Sequence, residues 1–179
     1  MKQEIQLEAC GQTLTLPSYD MPVLSVAGPQ RIRQATTEVP VAFFATLSSD
    51  IQHVGQNQLI VFDRVVTNVG NAYNPHVGVF TAPVTGIYGF SVSLIDYMGH
   101  TNEYKFYKNN DAISRIFLHA PDAGHHESTS QTIVLQLSKG DDVTLRNMYG
   151  DESLRGDNYC SFAGFVVWED FNQPPVVGK

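Results

Sequence analysis

The sequence predicts an all-β fold, a sandwich or barrel of many short strands. Three observations carry this. Short runs rich in Val, Ile, Thr, Phe and Tyr recur along the chain. Clusters of Gly, Pro, Asn and Asp separate them. Helical periodicity never persists for three turns. Strands joined by short turns, with no helices, bury their apolar faces by packing sheet on sheet.

The first 39 residues stand apart. Ile5, Leu7, Leu14 and Leu16 hint at two weak strands, and Pro17, Pro22, Gly28 and Pro29 then interrupt the pattern. Residues 1–39 therefore read as an N-terminal arm and linker, 40–170 as the compact domain and 171–179 as a tail. The arm has no Gly-X-Y triplets, hence no collagen repeat. Met1-Lys2-Gln3-Glu4 lacks the basic-then-apolar profile of a signal peptide. An intracellular chain and a mature form with an added Met both fit that start.

Within the compact domain the expected strands are Val41–Leu47, Leu59–Phe62 continuing through Val65-Val66, and Val77–Ala82. Pro83-Val84-Thr85-Gly86 then makes a reverse turn. In the next strand, Ile87 to Ile95, Tyr88, Phe90, Val92 and Leu94 share one face, which is assigned to the core. Tyr104–Tyr107 ends at Lys108-Asn109-Asn110-Asp111, a tight hairpin. Ile113–Leu118, Thr132–Leu137, Val143–Met148 and Ser161–Trp168 complete the set. Asp141-Asp142 is expected at a solvated hairpin tip. Ser161 to Trp168 is apolar on both faces. A strand bordering water should alternate, so this one needs two covers, and a second subunit is the simplest second cover.

Charge and composition exclude several functions. The chain carries a net charge of −7, which repels phosphate backbones and argues against nucleic acid. No apolar run reaches the roughly 18 residues that span a bilayer. Cys10 and Cys160 have neither CxxC spacing nor neighbouring zinc ligands, and two distant thiols make no disulfide framework. Cys160 reads as a small buried hydrophobe in a strand. No hydrolase, zincin, P-loop or dinucleotide motif occurs, so no enzyme activity is expected.

One spacing is specific. Phe62 is followed by Asn68, Tyr73, Phe80, then Gly86-x-Tyr88-x-Phe90. With Ser161-Phe162-Ala163-Gly164-Phe165 near the end and Leu135–Asp141 before a turn, the pattern resembles the C1q domain family over about residues 38–170. Val92 departs from it, standing where the family has Phe or Tyr. The resemblance implies a tumour necrosis factor-like jelly-roll β-sandwich of about ten strands, a homotrimer, secretion and no catalysis. Phe62, Phe80, Tyr88, Phe90, Phe162 and Phe165 are expected in the core. Phe43, Phe80, Phe162, Phe165 and Val167 should divide between core and subunit interface.

Two loops hold the candidate ligand residues. His119 to Glu127 is the densest cluster of ligand-type side chains, with His119, His125 and His126 beside Asp122 and Glu127. In the resemblance this loop lies near the threefold axis, where some family members bind calcium through acidic side chains. Asp122 and Glu127 are the residues that could do so with hard oxygen ligands. The histidines favour a borderline metal such as zinc, or a response to pH. A solvated polar loop is the simpler reading. Asp151 to Asn158 is the second loop and contains Arg155-Gly156-Asp157, the tripeptide integrins read, although a Gly-centred turn before the last strand is the simpler reading. Tyr149, Asn158 and Tyr159 add stacking and hydrogen-bonding groups.

The expected function is lectin-like recognition of carbohydrate or microbial surfaces in innate immunity, by a secreted trimer whose three loop sets give avidity. The alternative is an extracellular-matrix or cytokine-like protein that binds a protein receptor.

Overall fold

The computed structural model describes residues 40–96, 101–119 and 126–169. The arm at 1–39 with Cys10, and the tail at 171–179, lie outside the described residues. Twelve strands follow one another: β1 (Ala42–Thr46), β2 (Ile51–Val54), β3 (Arg64–Val69), β4 (Tyr73–Asn74), β5 (Val79–Thr81), β6 (Gly86–Ile95), β7 (Thr101–Lys108), β8 (Asp111–His119), β9 (Ser128–Leu137), β10 (Asp142–Asn147), β11 (Glu152–Leu154) and β12 (Ser161–Glu169). Ten of them form two five-stranded sheets, in the orders β3-β1-β12-β6-β9 and β4-β5-β10-β7-β8, and β11 pairs with β2. The chain crosses between the sheets after β3, β5, β6, β8 and β9, and returns from β10 to β12 by way of β11. Such repeated crossing makes a jelly roll rather than a meander.

Period two sets the core. Along β6, Tyr88, Phe90, Val92 and Leu94 are all buried, while Ile87, Ser91 and Ser93 between them are half-buried. Phe162 of β12 is the centre of the aromatic cluster. It meets Phe43 edge-on at 4.9 Å between centroids, and Phe62, Tyr73, Phe90 and Phe106 lie within 6.2 Å. Phe43 stacks on Tyr73 at 4.6 Å. Gly164 makes this closeness possible, because a Cβ there would stand 2.5 Å from Phe43 and 2.6 Å from Phe90.

The spaced residues singled out above are physically linked. Asn68 Nδ2 donates to the Tyr73 carbonyl at 2.8 Å, and Asn68 Oδ1 accepts from the Tyr73 amide at 3.2 Å. The Tyr73 hydroxyl accepts from the Phe62 amide at 3.1 Å and lies 3.2 Å from the Phe62 carbonyl. Burial pushes the Tyr73 phenol well above its ordinary pKa. Each group thus satisfies another's buried backbone, which explains the fixed offsets.

Several expectations are corrected. The run expected as a strand from Leu59 begins its ladder only at Arg64. Leu59 makes one isolated bridge, to Arg146, and Phe62 gives its backbone bonds to the Tyr73 hydroxyl instead of a neighbouring strand. Asp141 is not a solvated tip, since its side chain is 19% exposed. It accepts from the Ser138 amide at 2.9 Å and Asn109 at 3.1 Å, and pairs with Lys108 at 3.1 Å. Partial burial pushes its carboxyl up, but these bonds outweigh burial and hold it below the ordinary value. Phe165 is 50% exposed on the outer face rather than in the core. Residues 151–158 are not a plain loop, because Glu152, Ser153 and Leu154 form a buried strand.

Candidate recognition surface

Two surfaces have the make-up of contact sites, and the fold builds each from separate segments. The first is the outer face of the β3-β1-β12-β6-β9 sheet. Val69, Ala42, Phe165, Gly89 and Val134 are cross-strand neighbours in one row over all five strands. Phe165 lies across Gly89, its Cζ 3.1 Å from where a Cβ would stand. Phe44, Val66, Val69, Val134, Val167 and Trp168 are also exposed. Toward the loop end the same face turns polar, with Ser161, Ser93 and Ser130 in register. A patch of large apolar side chains rimmed by hydroxyls marks an interaction site.

The second surface is the loop end, where β6, β8 and β12 deliver the polar segments. Asp96 closes β6 and is fully buried. Its Oδ1 accepts from the Glu127 amide at 2.9 Å, and its own amide donates to the Glu127 carbonyl at 3.1 Å. His126 Nδ1 is 2.9 Å from the Asp96 carbonyl, and Arg155 Nη1 is 3.1 Å from His126 Nε2. A carbonyl only accepts and a guanidinium only donates, so these contacts assign a proton to Nδ1 and leave Nε2 as the acceptor. The Arg155 guanidinium also lies over the Tyr159 ring at 4.3 Å. His126, Arg155 and Tyr159 therefore form one chain of contacts, with Glu127 beside it.

The other candidates lie elsewhere. Asn158 is exposed, and its Oδ1 accepts from the Thr46 hydroxyl at 2.8 Å. Tyr149 is 52% exposed and its amide donates to Glu152 at 3.2 Å. His119 ends β8, 2.9 Å from the Thr101 hydroxyl and stacked on Phe117. Asp157 is exposed with φ at 51°. Gly156 is buried so tightly that a Cβ would stand 1.9 Å from the Ser49 carbonyl carbon, and its amide donates to Asp50 at 2.7 Å. Arg155-Gly156-Asp157 is thus a closed turn pinned to the 48–50 segment. Asp122 and His125 lie outside the described residues. Among the described residues, no three His, Cys, Asp or Glu side chains gather as a metal site.

Sequence reasoning missed Asp96. The signal was an acidic residue directly after the alternating strand that ends Leu94-Ile95, since a buried carboxylate there must be satisfied by local amides. Cys160 is fully buried just before β12, and its Sγ accepts from the Ile95 amide at 3.2 Å. Burial pushes its thiol up to about 11. Among the described residues, no helix is long and apolar enough to cross a membrane.

A two-sheet jelly roll with this pattern of crossings places the chain among the C1q and tumour necrosis factor folds. The C1q domain model matches residues 42–167, and the chain belongs to that family. Complement C1q tumor necrosis factor-related protein 3 of Mus musculus and that of Homo sapiens are each 34% identical over 134 residues, 74% of this chain and 53% of the relative. The chain thus spans about half the length of these curated relatives. Caprin-2 of Danio rerio is 30% identical over 163 residues, 88% of this chain and 18% of its own length. The globular domain of zebrafish complement 1qA superposes with a TM-score of 0.59 at 19% identity, covering 73% of this chain and 99% of that one. Eiger TNF from S. frugiperda gives 0.57 at 16%, covering 79% and 99%. At these identities the two structures show the fold alone.

Proposed function

We propose that this domain is a secreted, non-catalytic recognition module that assembles in threes and binds carbohydrate or microbial surfaces in innate immunity. The apolar outer face of the first sheet supports the assembly most directly. Phe165, Val167 and Trp168 are each at least 50% exposed, and a subunit packed there covers the face that β12 leaves bare. Three copies then present three identical loop ends, and weak single contacts add up on a repetitive surface. Arg155 and Tyr159 supply a cation and an aromatic face at that end, with His126 Nε2 within 3.1 Å of the guanidinium. Calcium at the axis belongs to the same proposal, held by Asp122 and Glu127. The exposed Glu127 carboxylate is a hard oxygen donor that fits the ion.

The deciding experiment is binding of the purified chain to glycans and bacteria, with and without EDTA. Competition by free sugar is the expected result, and binding that no sugar reduces would overturn the glycan reading. The names of the relatives and the tumour necrosis factor neighbours favour one alternative, a cytokine-like ligand that holds a protein receptor. That reading predicts tight binding to one protein and indifference to sugar.

A further inference from the structure

The outer face of the second sheet carries charge where the first carries apolar groups. Arg146 of β10 is the cross-strand neighbour of Lys105 of β7, and Lys105 is the neighbour of Arg115 of β8. Their chain neighbours Leu145, Tyr104, Phe106 and Ile116 are buried in the core, so all three cations belong to the outward face. Strands lie about 4.8 Å apart, which puts the row roughly 10 Å long. Like charges directly opposite on paired strands destabilise a sheet. Here they are opposite twice in succession, in a chain with 18 Asp and Glu against 11 Lys and Arg.

One carboxylate answers the row. Glu103 accepts from Arg115 at 3.1 Å. Among the described residues, no ion pair engages Lys105 or Arg146. Arg146 instead lies over the Tyr107 ring at 4.5 Å, with its Nε 3.4 Å from the Thr144 hydroxyl. Lys105 is only 8% exposed, so water screens its charge less than that of a free surface lysine. Bordering the row, Phe117 is 58% exposed and stacks on His119 at 5.9 Å. Departures from local stability rules without a structural return mark functional sites.

We propose that this face binds a sulfated polysaccharide, its sulfates along Arg146, Lys105 and Arg115 and a sugar ring against Phe117. Guanidinium groups make paired, charge-assisted hydrogen bonds to such oxyanions. The aromatic border suits the apolar face of a sugar ring, which an acidic peptide lacks. The acidic remainder of the molecule disfavours a long phosphate backbone. The inference rests on the glycan reading above for its class of ligand, but uses a different surface from the loop end.

The test measures binding of heparin to the whole chain as salt is varied. Fully desulfated heparin, polyglutamate and mannan serve as comparison probes. Wild type should bind heparin, with affinity falling as salt rises in proportion to two or three released counterions. Arg115→Gln with Arg146→Gln should weaken heparin binding at least tenfold, while Lys139→Gln, on an exposed turn, should leave it unchanged. Thermal melts confirm folding, and Lys105→Gln is the second variant should the double one fail to fold. Unchanged heparin binding in the folded variants overturns the proposal, as does polyglutamate matching heparin or an absence of heparin binding. Mannan binding without heparin binding would remove this inference and leave the broader glycan reading intact. Failure of every glycan would remove both.

Discussion

The two outer faces of this sandwich rest on one aromatic core and have opposite chemistry. On the first sheet, Phe44, Val134, Phe165 and Val167 lie open. On the second, Arg146, Lys105, Arg115 and Glu103 line the face. Both follow the same alternation of inward and outward residues, so the difference lies entirely in what each strand places outward. An apolar face loses free energy in water and gains it on being covered, whereas a charged face is stable in water and selects an oppositely charged partner. The lesson is that the jelly roll supplies a frame, and its two faces are free to serve separate tasks.

The strongest way to break that comparison uses one strand, β12, whose sides face in and out. Phe162→Ala removes the ring at the centre of the aromatic cluster and should cost about 3–5 kcal/mol in denaturant unfolding. Phe165→Ala, three residues on, should cost the isolated fold less than about 1 kcal/mol. Equal losses would mean that Phe165 belongs to the core.

A smaller effect is expected from pH, at the turn that leads into β10. Bonds from Ser138, Asn109 and Lys108 outweigh burial and keep the Asp141 carboxyl below its ordinary value. A depressed folded value adds stability above the unfolded value, and that stability is lost as pH falls through the folded one. Asp141→Asn should therefore lower the melting temperature at pH 7 and converge on wild type near pH 2. A constant gap at all pH values would show that the shift carries no stability.

The smallest expected change is chemical. The Cys160 thiol, raised to about 11 by burial, should resist alkylation at pH 8 in the folded protein and react on unfolding. Rapid labelling at Cys160, read by peptide mapping so that Cys10 is counted separately, would show that the sheet opens near Ile95.

Much of the fold was legible because its signals are local. Tyr88, Phe90, Val92 and Leu94 announce their side by alternation alone, and Phe62, Asn68 and Tyr73 keep their offsets because they bond one another. The strands that escaped notice are short or polar. Tyr73–Asn74 has two residues, and Glu152-Ser153-Leu154 is buried within a stretch that reads as a turn. Glu152 is tolerated there because it accepts amides of Glu103 and Tyr149, at 3.0 and 3.2 Å. Burial pushes its carboxyl up all the same. The cationic row was illegible for a different reason. Lys105, Arg115 and Arg146 are far apart in sequence, and only strand register makes them neighbours. The loop at 119–127 was legible as a ligand-rich segment, and of it only His119, His126 and Glu127 fall among the described residues.

The central claim is that copies of the chain cover the first sheet's outer face. Sedimentation equilibrium at micromolar concentration tests it most directly, on wild type and on Phe165→Asp. The wild type should sediment at about three times its 19.8 kDa. The variant should sediment as a folded monomer, since a carboxylate buried in an apolar interface without a partner is strongly unfavourable. A stable wild-type monomer, or a variant that remains trimeric, would contradict the account.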